Sequence, residues 1–189
     1  MRGKSDWQEI CKGVGDRVLK ATPEMTVESA KKFRRQMFAI LNKAAEDDIL
    51  KNKPHEIYSL LKVQKSAKYG KGIFEILGGQ KNFDRCRDIP HFERVDGCWF
   101  DFAILIDENP KPAQIIGFDF EIRFPDDYPV NFLRLDLNMP GHDNDRRGMR
   151  FHLHPGSDDF MIHAPPMRPL EILHLFLYGL SIPERPRSG

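Results

Sequence analysis

Eleven residues near the middle of the chain constrain its fold more than any others. Between positions 114 and 124, Ile116, Phe118, Phe120, Ile122 and Phe124 alternate with Gly117, Asp119, Glu121 and Arg123. A period of two places the two sets on opposite sides of an extended strand. One greasy face and one charged face predict an antiparallel sheet covered on one side, with the charged side toward solvent. Residues 98–107 form a second strand-like run, and the Pro- and Asn-containing stretch 108–112 is the loop between the two. Residues 131–137 repeat the pattern through Phe132, Leu133, Leu135 and Leu137. Three such runs joined by short links predict a β-meander. A shorter apolar segment, 73–77, is closed by Gly78 and Gly79.

The first 71 residues have the other period. Trp7, Ile10, Cys11, Val14, Val18 and Leu19 recur at helical spacing, interrupted by Gly13 and Gly15. A stronger helix follows, with Thr26 and Ser29 available as caps and a broad apolar stripe through Val27, Ala30, Phe33, Met37, Phe38, Ile40, Leu41 and Ala44. It is expected to end near Leu50, and Pro54 is placed to open a third helix through Ile57, Tyr58, Leu60 and Leu61. Residues 62–72 read as a basic tail or loop. Near the far end a helix begins at Pro169 and carries Leu170, Ile172, Leu173, Phe176 and Leu177. The fold class is therefore α+β: an antiparallel β-meander packed by helices and preceded by a helical segment. The expected division is 1–71, a basic helical extension; 72–182, an α/β domain; and 183–189, a loose tail.

Charge separates the same two parts. Residues 1–71 hold 16 Lys and Arg against 9 Asp and Glu, whereas the remainder holds 13 against 19. Lys31, Lys32, Arg34 and Arg35 on the helix, with Lys62, Lys65 and Lys68 after it, could track an anionic partner, nucleic acid or protein. Arg146 and Arg147 form a smaller cluster on the polar stretch 140–150. The plainer alternative is a solvated Lys-rich surface. No apolar run approaches the ~20 residues needed to cross a membrane, so no membrane association is expected. Cysteines at 11, 86 and 98 make neither a disulfide framework nor a CxxC knuckle, which points to a reducing cytoplasm.

The link after residue 123 reads Phe124-Pro125-Asp126-Asp127-Tyr128-Pro129. Two prolines fix the chain's path from one strand into the next, and a Tyr ring can pack under the corner. This resembles the FPxxYP turn of the ubiquitin-conjugating-enzyme (UBC, or E2-like) superfamily, which includes inactive variants and RWD domains. His154-Pro155 stands where that family has its His-Pro-Asn turn, and Ala164-Pro165-Pro166 resembles its approach to the next helix. The resemblance covers about half the chain and implies a UBC-like scaffold. It does not carry the family's chemistry, because no cysteine follows Cys98 and Gly156 replaces the asparagine. Thioester transfer needs a thiolate. The resemblance therefore implies a non-catalytic binding or adaptor module with no cofactor.

Two groups could still support catalysis. His152 and His154, two apart on a strand, project to one side and begin a metal site that Asp158, Asp159 or His163 could complete. The competing reading is a pair of half-buried histidines bonded to backbone. Asp101, followed by Asp119 and Glu121 on the next strand, resembles the outline of PD-(D/E)xK nucleases, in which carboxylates hold Mg²⁺. Arg123 stands in place of their lysine, and the plain alternative is a solvent-facing row. A metal-dependent hydrolase or nuclease is the alternative function, with a divalent ion as its cofactor.

Overall fold

The computed structural model describes residues 25–182, except the side chain of Arg146, and before them only positions 9 and 13. The helix expected over residues 7–19 and the tail from 183 lie outside the described residues. Nine antiparallel strands form one sheet: β1 (Thr26–Val27), β2 (Leu61–Lys65), β3 (Ile73–Gly78), β4 (Phe92–Glu93), β5 (Trp99–Asp107), β6 (Ala113–Arg123), β7 (Phe132–Leu137), β8 (Phe151–Pro155) and β9 (Ile162–His163). The main path runs β2-β3-β5-β6-β7-β8-β9. β6 is long enough to pair with β7 over 118–123 and with β1 over 113–114 on the same edge. The expected meander is β5, β6 and β7, and β8 continues it.

Among residues 25–182 three α-helices pack on the apolar side of the sheet. α1 (Ala30–Glu46) starts at Ser29, whose hydroxyl accepts the Lys32 N–H at 3.2 Å. Ala30, Phe33, Met37, Leu41 and Ala44 form its buried stripe. It stops four residues before Leu50, because Asp48 turns the chain into the left-handed region at φ 55°. Asp adopts that conformation more readily than most residues. α2 (Pro54–Leu60) has proline in its first turn, and α3 (Pro169–His174) runs into a π-helical turn, Leu175–Gly179. Ser29→Ala is expected to cost about 1 kcal/mol, lowering the thermal midpoint by about 3 °C for a chain of this size. A melt by circular dichroism with no shift would discard the cap as a stabilising contact.

The core lies between helices and sheet. Phe102 and Phe120 stack at 4.8 Å, Phe118 meets Phe151 edge-on at 6.0 Å, and Phe176 reaches from the C-terminal turn onto Phe100 at 5.8 Å. Gly78 lies opposite Phe102 in the sheet, and a Cβ there would come within 2.1 Å of the ring. α1 and α2 join this same apolar cluster, so residues before and after position 71 share one core. The stretch read from its charge as a basic tail or loop is partly an edge strand: Leu61 and Val63 turn toward the core, and β2 pairs with β3. Among the described residues no helix is long and apolar enough to cross a membrane.

The charged face is not a solvent face. Asp101, Glu121, Arg123, His152 and His154 are exposed by 2–4% only. The connection between β3 and β4, residues 79–91, folds over them. Arg85 lies 3.6 Å above the Phe132 ring and bonds Glu121, while the Asn82 carbonyl accepts from Arg123 at 2.8 Å.

Candidate metal centre

Register decides which groups meet on the covered face. One row of cross-strand partners runs Asp101, Glu121, Arg134, His154; the next runs Leu77, Ala103, Asp119, Asp136, His152, His163. Each step in such a row is about 4.8 Å. Two kinds of polar constellation result.

The first is an ion-pair network. Arg123 binds Asp101 and lies 2.8 Å from Glu121; Arg85 bonds Glu121 at 2.9 Å and Asp158 at 2.9 Å; Arg134 reaches Asp136 at 3.0 Å and also pairs with Asp158. Burial pushes the Asp101 carboxyl up to about 7, with Arg123 opposing. Asp101, Asp119 and Glu121 share a face, yet Asp101 and Glu121 are held by guanidinium groups. Both Glu121 oxygens are engaged, by Arg85, Arg123 and Arg134, which leaves Mg²⁺ none of the free negative oxygens and water that it seeks. The nuclease-like outline is therefore a packed charge network here. Asp158 also leaves the expected histidine cluster. Its partners are Arg85 and Arg134, whose hydrogen bonds hold its carboxyl below the usual carboxylate range.

The second constellation is Asp136, His152 and His154, the only group of three potential ligands to converge among the described residues. His152 Nε2 and His154 Nε2 are 3.1 Å apart, and Asp136 Oδ2 lies 3.6 Å from the first and 3.4 Å from the second. A point equidistant from all three is about 2 Å from each, the length of a zinc–nitrogen or zinc–oxygen bond. The other ring nitrogens fix the tautomers. His152 Nδ1 donates to the Met149 carbonyl at 2.9 Å and His154 Nδ1 to the Ser157 carbonyl at 3.3 Å. Carbonyls only accept, so each neutral ring keeps its lone pair on Nε2, as in histidines oriented by outer partners around metals. Burial lowers the His152 pKa and favours that neutral form. The Ser157 carbonyl is presented by a turn at Gly156, whose φ of 77° suits glycine.

Asp136 was missed in the sequence because the register between β7 and β8 spans a thirteen-residue connection. His163 lies beside His152 in register, and both its ring nitrogens are buried without a partner among the described residues, as is Asp136 Oδ1. A cleft of about 820 Å³ opens over the same face, with Asp119, Arg134 and Asp136 at one end. Burial raises the Asp119 carboxyl, against the pull of Lys81 at 2.7 Å.

The basic residues divide. Arg34 is structural: it donates to the Leu61 carbonyl at 2.6 Å and lies 4.9 Å over the Tyr58 ring. Lys31, Lys32, Arg35, Lys62, Lys65 and Arg147 are exposed, Lys32 being paired with Glu28, and Lys68 borders the cleft. The Arg146 side chain lies outside the described residues.

Fold and geometry define an α+β protein whose single antiparallel sheet carries a two-histidine, one-carboxylate cluster on a covered polar face. Compared with protein-family models, curated proteins and solved structures, the chain matches none.

Proposed function

We propose that Asp136, His152 and His154 hold one divalent ion, zinc by preference, and that the chain is a metal-dependent hydrolase. The supporting observation is the meeting of three lone-pair atoms at metal-ligand spacing. A proton between the rings would satisfy only the two imidazole nitrogens; Asp136 Oδ2 accepts from Arg134 Nε at 3.0 Å and has a second lone pair to offer an ion. Two imidazoles and a carboxylate leave a fourth position for water, the pattern of catalytic zinc. An ion held there would supply a water acidic enough to lose a proton near neutral pH. Asp119, directly across from Asp136 and bordering the cleft, is the carboxylate positioned to receive that proton. Asp136 would connect such a centre to the cleft, whose lining it joins with Asp119 and Arg134.

Reconstitution with zinc followed by dialysis and elemental analysis tests this. The wild-type chain is expected to retain one equivalent, and the His152→Ala/His154→Ala double variant less than about a tenth. Asp119→Asn should keep the metal while losing on the order of 10²-fold in p-nitrophenyl phosphate hydrolysis. Equal zinc in wild type and double variant would refute the site.

A second reading, a UBC-like adaptor, draws support from the corner at residues 124–129. There Phe124 and Tyr128 stack at 5.1 Å and the Tyr128 N–H bonds the Pro125 carbonyl at 2.9 Å between two antiparallel strands. Burial also pushes the Cys98 thiol up to about 12, far from a reactive thiolate. This reading predicts a metal-free protein whose salt-sensitive binding to nucleic acid, or to a partner protein, disappears on charge reversal at Lys31, Lys32 and Arg35.

A further inference from the structure

Beyond the metal ligands, the cleft itself has a graded chemistry. Its floor is the row already described: Leu77 and Ala103 at one end, Asp119 and Asp136 at the other. Gly117, opposite Leu105 in the neighbouring row, is where Met139 packs onto the sheet, its Cγ 3.3 Å from where a Cβ would stand. Leu77 and Ala103 give this end a small apolar floor on which a planar ring can lie. Two aromatic side chains border this part from separate connections, Tyr69 between β2 and β3 and Phe83 between β3 and β4. Phe83 is 63% exposed, so its ring is accessible to a ligand in the cleft. Each ring also has an ammonium group nearby: Lys68 Nζ is 5.0 Å from the Tyr69 centroid and Lys81 Nζ is 4.6 Å from that of Phe83.

Three requirements follow for a ligand that fills the space. It needs a flat, largely apolar ring for the floor and the aromatic sides. It needs negative charge at one end, where the proposed metal would add two positive charges near Lys81; the lining itself is mixed, Lys68, Lys81 and Arg134 against Glu75, Asp119 and Asp136. The two groups must also be separated. From Asp136 to Ala103 is two strand spacings, about 10 Å, comparable with the reach of a nucleotide from its phosphoryl group to its base. A volume of about 820 Å³ is ample for such a molecule.

We propose that the cleft binds a nucleoside phosphate, its phosphoryl group at the Asp136–His152–His154 end beside Lys81 and its base over Ala103 and Leu77 between Tyr69 and Phe83. This assigns a substrate class to the hydrolase and rests on the metal reading for the phosphoryl end only. The aromatic end stands on its own residues. Lys81 acts at the junction, bonded to Asp119 and lying over Phe83, so that an arriving phosphoryl group competes with Asp119 for the ammonium.

Titration calorimetry with adenosine monophosphate, inorganic phosphate and adenosine as separate probes tests the inference, with zinc content measured on the same samples. The zinc-loaded chain is expected to bind adenosine monophosphate at least about tenfold more tightly than either fragment, since stacking contributes about 1–3 kcal/mol per base. Tyr69→Ala and Phe83→Ala should each weaken it about fivefold or more, leave inorganic phosphate binding unchanged and retain the metal. If the chain carries no zinc, the hydrolase reading fails separately. Nucleotide binding that still depends on Tyr69 and Phe83 would then uphold the cleft assignment. No binding of adenosine monophosphate, with or without zinc, overturns it, as does binding indifferent to both aromatic substitutions or no tighter than phosphate alone.

Discussion

Arg123→Met is expected to destabilise the chain by about 3–5 kcal/mol, the cost of leaving a buried charge without its partner. That loss lowers the thermal midpoint by about 10 °C or more. Arg123 is 3% exposed and holds two carboxylates on the covered face. Glu121 keeps Arg85 and Arg134 after the substitution, so the loss falls mainly on Asp101. The pH dependence follows from that carboxyl. Burial already raises it to about 7, against an ordinary 3.8, and removing the guanidinium raises it further. An acid whose folded pKa lies above its unfolded one binds more protons when folded, so its destabilising contribution is full above the folded pKa and vanishes below the unfolded one. Chemical denaturation should therefore find the Arg123→Met deficit largest near pH 8 and shrinking toward pH 5. Adding Asp101→Asn should recover on the order of 2 kcal/mol at pH 8 and little at pH 5. A deficit below about 1 kcal/mol at every pH would mean that the network contributes nothing to stability.

The same face explains where the sequence was legible and where it was not. Alternation in β6 identifies which side chains share a side, and the structure keeps Phe118, Phe120 and Ile122 in the core as expected. Alternation carries no information on whether water or protein covers the polar side. A hint was present, since Trp99, Ala103, Leu105 and Phe132 share that side with the charges, an odd composition for a solvated face. The covering segment, residues 79–91, has no periodicity because its contacts are single side chains reaching down, Arg85 above all. α1 was readable because its stripe of Ala30, Phe33, Met37, Leu41 and Ala44 is set by local geometry alone. β2 was hidden by its lysines, which outweigh two inward apolar residues in a five-residue strand. The two histidines could be paired from their spacing, but their carboxylate could not. The sequence points to Asp158, four residues past His154, and only the β7–β8 register brings Asp136 to the imidazoles while Asp158 goes to Arg85 and Arg134.

That choice between two aspartates gives the second large effect. Zinc at about a thousandfold excess over its dissociation constant stabilises a folded site by about 4 kcal/mol, which raises the thermal midpoint by roughly 10 °C. Asp136→Ala removes the only anionic ligand, and its zinc-induced shift, measured against its own metal-free baseline, is expected to fall below about 2 °C. Asp158→Ala should melt somewhat earlier than wild type because Arg85 and Arg134 lose a shared partner, yet keep the zinc shift. Acidification discriminates further. Zinc needs the Nε2 lone pairs, and burial holds the His152 pKa below its ordinary 6.5, so protons compete only under that value. The wild-type shift should be flat from pH 8 to 7 and decline below about pH 6. A chain that keeps its zinc shift without Asp136 and loses it without Asp158 would require a different register between β7 and β8, and the proposed centre would have to be rebuilt from it.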